Sequence, residues 1–178
     1  MNTSSVPTTL ASEFKNKIDA HQARVAVIGL GYVGLPLALL YTEQKFPVTG
    51  FDIDSRKVAT LTQGGSYIYR IPATEIQAAR AQGFEATSDY SRLTAMDAII
   101  ICVPTPLNEY HEPDLSYITD TGKSIAPYLR AGQLVVLEST TYFRMPRISP
   151  VTTTSRRLPI IFSCTQPSVP CESRTCRQ

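Results

Sequence analysis

Residues 24–54 of the chain read RVAVIGLGYVGLPLALLYTEQKFPVTGFDID. The segment 24–28 is short, apolar and rich in β-branched residues, which predicts a buried strand. A G-x-G-x-x-G motif follows at 29–34, before an uncharged helical segment and a second strand that ends on Asp52. Strand, glycines, helix, strand and acidic residue therefore come in the order of a ligand-binding βαβ unit.

The three glycines and the acidic residue indicate a dinucleotide site. Gly29 permits a tight turn, Gly31 lets a pyrophosphate approach the backbone, and Gly34 lets the helix pack close to the sheet. The N-terminus of that helix presents free N–H groups to phosphates. Asp52 stands 18 positions after Gly34, near the ~20 typical of a carboxylate that binds an adenosine ribose and disfavours NADP.

Two other interpretations of this stretch are a plain βαβ unit with a glycine-rich turn and a membrane span. A span is excluded because the uncharged segment 25–42 is short, holds three glycines and Pro36, and runs directly into a second strand pattern. The N-terminus shows no basic start followed by an apolar run, so we expect a cytoplasmic protein without a membrane partner.

Composition is that of a globular chain, and its charge is unevenly distributed. The 178 residues are 43% hydrophobic and 18% charged, which suits about one packed domain. Eleven basic and fourteen acidic residues give residues 1–142 a charge of −3, whereas six arginines and one acid give residues 143–178 a charge of +5. The basic character belongs to the end of the chain, so no nucleic-acid partner is expected.

The cysteines do not predict a metal site. Cys102 lies in an apolar strand pattern and is predicted to be a small core residue. The other three, Cys164, Cys171 and Cys176, have spacings that match no common zinc pattern, and neither histidine lies near them.

Strand and helix patterns alternate along the rest of the body. Helices are predicted at 9–20, 55–63, 74–82, 88–94 and from 114 or 116 to about 130, and further strands at 84–87, 97–103 and 134–137. This alternation predicts an α/β fold with a doubly wound parallel sheet of order 3-2-1-4-5 and a ligand site at its carboxyl edge. Arg56 and Lys57 lie in the first turn of the third helix, where either both are solvated charges or one of them reaches back toward the adenosine ribose or phosphate.

The composition changes abruptly at Phe143. The last 36 residues contain no glycine or alanine, and only 158–162 resembles a strand. They can be interpreted as a disordered basic extension, a partner-binding tail or an out-of-frame sequence, and we favour the last. The predicted organisation is an N-terminal arm and helix (1–23), a Rossmann-like domain (24–142), and an irregular, unstructured tail (143–178) that leaves the sheet incomplete.

The body, roughly residues 9–142, resembles the UDP-glucose/GDP-mannose dehydrogenase family. The motifs that carry the resemblance are VAVIGLGYVGLPLALL (25–40), GFDID (50–54), CVPTPLN (102–108), PDLSYI (113–118) and LESTTY (137–142). The last three are most similar to the UDP-N-acetylglucosamine 6-dehydrogenase branch.

The resemblance implies the cofactor, NAD, and the residues that would bind it. Those residues are Gly29, Gly31, Tyr32, Val33 and Gly34 at the pyrophosphate, Asp52 and Lys57 at the adenosine ribose, and Thr105 and Thr140 at the nicotinamide half. Ordinary loop capping is the alternative role for the two threonines.

The resemblance also implies an activity, the NAD-dependent two-step oxidation of UDP-N-acetylglucosamine or UDP-glucose to the uronic acid. The family's catalytic cysteine and lysine belong to a second domain that nothing in residues 143–178 matches, so no catalytic residue is assigned. The chain alone is expected to be inactive, and the homodimer that is usual in the family is in doubt. The alternatives are a stand-alone NAD-binding module and a non-functional fragment.

Overall fold

Six short strands and five α-helices make up the computed structural model, which describes residues 8–107, 109, 113–138 and 160–162. The strands are β1 (Val25–Ile28), β2 (Val48–Phe51), β3 (Glu85–Thr87), β4 (Ala98–Ile101), β5 (Leu134–Leu137) and β6 (Ile160–Phe162). The helices are α1 (Thr8–Asp19), α2 (Gly34–Glu43), α3 (Ser55–Thr62), α4 (Ala73–Ala81) and α5 (Ser116–Ile125). Two 3₁₀ helices cover Tyr90–Ala95 and Ala126–Tyr128.

All strand pairs are parallel, and the order is β3-β2-β1-β4-β5-β6. Val25 of β1 lies between Val48 of β2 and Ala98 of β4. The direction of winding reverses between β1 and β4, and a crevice opens outside the carboxyl ends of strands at such a reversal. The doubly wound Rossmann-like fold and the order 3-2-1-4-5 are therefore confirmed.

Apolar side chains fill both faces of the sheet. One buried cluster is built around Leu35, Leu61 and Ile76 of α2, α3 and α4. The other contains Ile118 and Ile125 of α5. Because helices cover both faces, β1, β2 and β4 are buried along their whole length, as expected for strands without polar alternation.

A buried carboxylate fixes the amino edge of the sheet. Asp97 accepts hydrogen bonds from Lys17 Nζ at 2.7 Å, from Arg130 Nη2 at 3.2 Å and from the backbone N–H of Arg24 at 3.0 Å. Burial alone would raise the pKa of Asp97, but these donors outweigh it and the pKa is lowered. The same contacts attach α1 to the domain, since Lys17 belongs to that helix.

The region after Tyr142 departs from prediction in one place. Ile160–Phe162 pairs with β5 in parallel, Val135 opposite Ile160, which adds a sixth strand beside the five that the sequence predicts. These three residues belong to the tail's one apolar, β-branched run, which can pair with an open sheet edge. The remainder of 143–178 lies outside the described residues.

Two helix boundaries also differ from prediction in detail. The α-helical part of α5 ends at Ile125, and Pro127 lies in the 3₁₀ turn that follows, because proline cannot continue the hydrogen-bond ladder. Its N-cap position is Leu115, while the Asp114 side chain accepts from the Ser116 N–H at 2.9 Å. The predicted helix at 88–94 is a 3₁₀ helix capped by Asp89.

Candidate dinucleotide-binding cleft

Two glycines of the motif are required by close packing. Gly29 has a φ of +91°, and a Cβ added there would lie 2.6 Å from the carbonyl oxygen of Cys102. A Cβ on Gly34 would lie 1.9 Å from the carbonyl oxygen of Gly29. The turn, the first residue of α2 and the end of β4 are therefore in direct backbone contact, a spacing that no larger residue permits.

Gly31 differs from these two glycines because it faces open space. A Cβ added there would meet no atom within 4 Å. Its neighbours Tyr32 and Val33 are 83% and 60% exposed, and the N-cap position of α2, Val33, has no side-chain capping bond. An uncapped helix N-terminus beside an open glycine offers N–H groups to an anion.

Asp52 is buried at the end of β2, where it is 5% exposed. Its Oδ2 accepts from the backbone N–H of Leu30 at 2.9 Å, and its Oδ1 accepts from the N–H of Asp54 at 2.9 Å. A carboxylate has about four acceptor sites, so these bonds fix its orientation and leave capacity for further donors.

The two cations of α3 behave differently. Lys57 Nζ lies 3.4 Å from Asp52 Oδ2 and 5.9 Å from the centre of the Tyr67 ring. Arg56, whose side chain is 90% exposed, pairs with Asp54, and its hydrogen bonds lower the pKa of that carboxyl. The structure thus directs Lys57 toward the predicted ribose carboxylate and leaves Arg56 in solvent.

The opposite wall follows β4 and β5. Thr105 lines the cleft beyond Cys102, and Glu138 borders it directly after β5. Burial, followed by the Glu138 carboxylate, raises the pKa of Cys102 to about 12. This thiol is 8% exposed and un-ionised at neutral pH, so it is the core residue that the sequence predicts. Thr140 lies outside the described residues.

Together these walls enclose a cleft of about 760 Å³ over the β1–β4 switch point. It brings together the predicted residues Gly29, Gly31, Tyr32, Val33, Asp52, Lys57 and Thr105, with Gly34 directly beneath the loop. Sequence reasoning did not identify Tyr67, Tyr90, Tyr117 and Glu138 as lining residues. The aromatic character of 66–71 and the position of Glu138 at a strand end were the available signals.

Among the described residues there is neither a helix that could span a membrane nor a cluster of metal-binding side chains. None of the helices in 8–107 and 113–138 is long and apolar enough to cross a membrane. Within these same ranges, no three His, Cys, Asp or Glu residues are grouped so that they could hold a metal ion.

Comparison with known proteins gives one consistent match. Residues 23–156 match the model of the UDP-glucose/GDP-mannose dehydrogenase family, NAD binding domain, a match that continues 14 residues past Tyr142. The chain is similar to the UDP-N-acetyl-D-glucosamine 6-dehydrogenase of Pseudomonas aeruginosa, with 39% identity over 67% of this chain and 28% of the relative. It is equally similar to the UDP-N-acetyl-D-mannosamine dehydrogenase of Yersinia pestis, with 38% identity over 65% of this chain and 27% of the relative.

A solved structure agrees with these relatives. The UDP-D-ManNAc dehydrogenase of Pyrococcus horikoshii superposes with a TM-score of 0.62 and 34% identity, over 66% of this chain and 28% of that one. The chain therefore spans little more than a quarter of the length of the relatives that it matches.

Proposed function

Because this chain belongs to the UDP-glucose/GDP-mannose dehydrogenase family through its NAD binding domain, we propose that the cleft holds NAD extended across the carboxyl end of β1. The observation that carries this proposal is the contrast among the three glycines. Gly29 and Gly34 are enclosed by backbone, whereas Gly31 faces empty space at the mouth of the cleft. A tight turn alone does not require open space beside Gly31, whereas a bound pyrophosphate does.

The pyrophosphate fits beside Gly31 and the N-terminus of α2. Backbone N–H groups and the positive end of the helix dipole would stabilise its two negative charges. The exposed side chains of Tyr32 and Val33 stand beside this position, where they would cover the phosphates from solvent.

The adenosine ribose fits between Asp52 and Lys57. The carboxylate, already oriented by Leu30 and Asp54, would accept hydrogen bonds from the ribose hydroxyls, and Lys57 would donate to them. A 2′-phosphate would bring a second negative charge against Asp52, so this end of the cleft favours NAD over NADP.

The nicotinamide half would then lie toward β4 and β5, beside Thr105 and, by resemblance, Thr140. NAD bound there supplies the hydride acceptor for oxidation of an alcohol. The residues of this domain bind and orient the cofactor, and its apolar walls at Ile28 and Val103 exclude water from the reacting ring.

The activity of the whole enzyme is also part of the proposal. We assign it the two-step oxidation of a nucleotide sugar, UDP-N-acetylglucosamine or UDP-glucose, to the uronic acid, in the cytoplasm. The relatives named for N-acetylglucosamine and N-acetylmannosamine substrates match equally well, so the choice of sugar rests on the branch motifs alone. A stand-alone NAD-binding module is the second possibility, and it shares every residue assignment above.

A matched pair of glycine variants tests the cleft. Gly31→Ala and Gly122→Ala each place a methyl group where no atom lies within 4 Å, but only the first intrudes on the cleft. We expect calorimetric titration to show NAD binding by the parent chain and by Gly122→Ala, and at least tenfold weaker binding by Gly31→Ala. Absence of NAD binding by the parent chain, or equal affinity in both variants, would overturn the proposal.

A further inference from the structure

Leu30, the residue between the first two glycines, is held at three points. Its side chain has 0% exposure and packs against Gly50, where an added Cβ would lie 2.7 Å from Leu30 Cδ2. Its backbone N–H donates to Asp52. Its carbonyl oxygen accepts a hydrogen bond of 2.6 Å from the hydroxyl of Tyr67, 37 positions away. The side chain of Tyr67 therefore fixes the carbonyl side of the glycine loop.

The segment that carries Tyr67 is irregular but anchored. Ser66 Oγ and the backbone of Ile68 exchange hydrogen bonds of 3.2 Å, and the N–H of Ile71 donates to the Ile68 carbonyl at 2.9 Å. Ile68 and Ile71 are each 7% exposed and belong to the core beneath α2. In contrast, Tyr69 is completely exposed. Tyr67 is thus presented to the cleft by a fixed turn.

The ring of Tyr67 contacts the other end of the site. Lys57 Nζ lies 5.9 Å from the ring centre while it pairs with Asp52 at 3.4 Å, and a cation over an aromatic face is attracted by the ring quadrupole. Burial, followed by the charges of Asp52 and Asp54, raises the pKa of the phenol. The hydroxyl consequently keeps its proton and remains a donor at neutral pH.

We propose that Tyr67 is a positioning residue for both halves of the adenosine diphosphate site. Its hydroxyl fixes the glycine loop, residues 29–34, through the hydrogen bond to the Leu30 carbonyl. Its ring holds Lys57 beside the Asp52 carboxylate. The inference rests on the proposed function, since it assumes that the cleft binds a dinucleotide. It adds that an aromatic residue outside the βαβ motif determines how well the loop is prepared for the pyrophosphate.

Two substitutions separate the roles of hydroxyl and ring. Tyr67→Phe removes only the hydrogen bond to Leu30, so affinity for ADP and NAD should fall about fivefold, the factor that one neutral hydrogen bond represents. Affinity for adenosine should stay unchanged. Tyr67→Leu also removes the ring, so adenosine should bind about threefold more weakly to Tyr67→Leu than to Tyr67→Phe. Tyr69→Phe, two residues away and in solvent, is the matched control.

Calorimetry with adenosine, ADP and NAD measures these affinities, and thermal unfolding of each variant gives its stability. Weakening of ADP but not adenosine in Tyr67→Phe would support the assignment. Equal affinities in Tyr67→Phe and Tyr69→Phe, or one uniform loss for all three ligands together with a lowered Tm, would overturn it. If the parent chain does not bind NAD, the proposed function itself is wrong. If the parent chain binds NAD and Tyr67→Phe binds it equally well, only the role of Tyr67 is wrong.

Discussion

The backbone N–H of Leu30 lies 2.9 Å from Oδ2 of Asp52, and this hydrogen bond joins the glycine loop to the end of β2, which carries the carboxylate proposed to bind the ribose. Both groups are buried. The carboxylate therefore has two tasks, because it orders the loop through Leu30 while it presents its remaining acceptor sites to the cleft.

Replacement of Asp52 should affect stability and binding together. Asp52→Ala leaves the N–H groups of Leu30 and Asp54 without their acceptor, at a cost of about 1–3 kcal/mol in the free energy of unfolding, and should abolish measurable NAD binding. Asp54→Asn, which removes a charge but keeps an oxygen that can cap α3, should leave the urea midpoint close to that of the parent chain. Urea unfolding and NAD titration measure both effects. A parent-like urea midpoint for Asp52→Ala would show that the loop does not depend on this carboxylate.

Two glycines with positive φ distinguish backbone strain from steric packing. Gly29→Ala places a side chain on a residue with a φ of +91° and brings its Cβ to 2.6 Å from the Cys102 carbonyl oxygen. Gly83→Ala places a side chain on a residue with a φ of +100°, but no atom lies within 4 Å of the added Cβ. The strain alone should cost about 1–2 kcal/mol, so Gly83→Ala should lose that amount and Gly29→Ala clearly more. Equal losses in chemical denaturation would mean that the contact with β4 relaxes without cost.

The Asp97 cluster should give stability a specific pH dependence. The pKa of Asp97 is lowered in the folded chain, so its contribution is complete above the unfolded pKa of about 3.9 and disappears as pH falls through the lower folded value. The difference in unfolding free energy between the parent chain and Asp97→Asn should be constant from pH 7 to about 5 and shrink below pH 4. Urea titrations at several pH values test this. A difference that grows on acidification would contradict the assignment.

Cys102 should be inert in the folded domain. Because burial and Glu138 raise the pKa of its thiol to about 12, almost no thiolate exists at pH 8. A variant in which Cys164, Cys171 and Cys176 are changed to serine isolates this thiol, which should react with a disulfide reagent only after denaturant is added. Rapid labelling of the folded variant at pH 8 would show that the cleft floor opens.

The 178-residue chain, purified by itself, should bind NAD without reducing it. The one cysteine within the described ranges has no thiolate character, and the resemblance assigns the family's catalytic cysteine to a second domain. Addition of UDP-N-acetylglucosamine or UDP-glucose to the NAD complex should therefore produce no absorbance of NADH at 340 nm. Turnover above that of the Asp52→Ala variant would refute this expectation.

Local patterns predicted most of the fold because its central strands, β1, β2 and β4, are buried on both faces. Val25–Ile28 and Ala98–Ile101 are uninterrupted apolar runs, and the glycines and Asp52 occupy fixed offsets from the first of them. Burial and the spacing of the glycines act over a few neighbouring residues, so the local sequence is enough to predict them. For Lys57, the sequence leaves two alternatives; the structure places its Nζ 3.4 Å from Asp52, and contact with a ribose belongs to the proposal.

Long-range contacts were not predictable in the same way. Tyr67 meets Leu30, and Lys17 and Arg130 meet Asp97, yet no periodicity relates these positions. The pairing of the sixth strand is unpredictable for a related reason: residues 158–162 resemble a strand in sequence, but the pairing of Ile160–Phe162 with β5 depends on a sheet edge that only tertiary structure presents.

The adjacency of β1 and β4 bears on how the domain is made. Ile28 pairs with Ile101, 73 positions later, and the carbonyl of Cys102 completes the surroundings of Gly29. On the ribosome, the glycine loop therefore emerges long before β4, the strand that supports it. Since domains fold as units and pairings between distant residues are slow to form, we expect a nascent chain to bind NAD in the proposed cleft only after β4 has been synthesised. NAD can thus stabilise the completed domain, but it cannot assist the folding of the segments that are synthesised before β4.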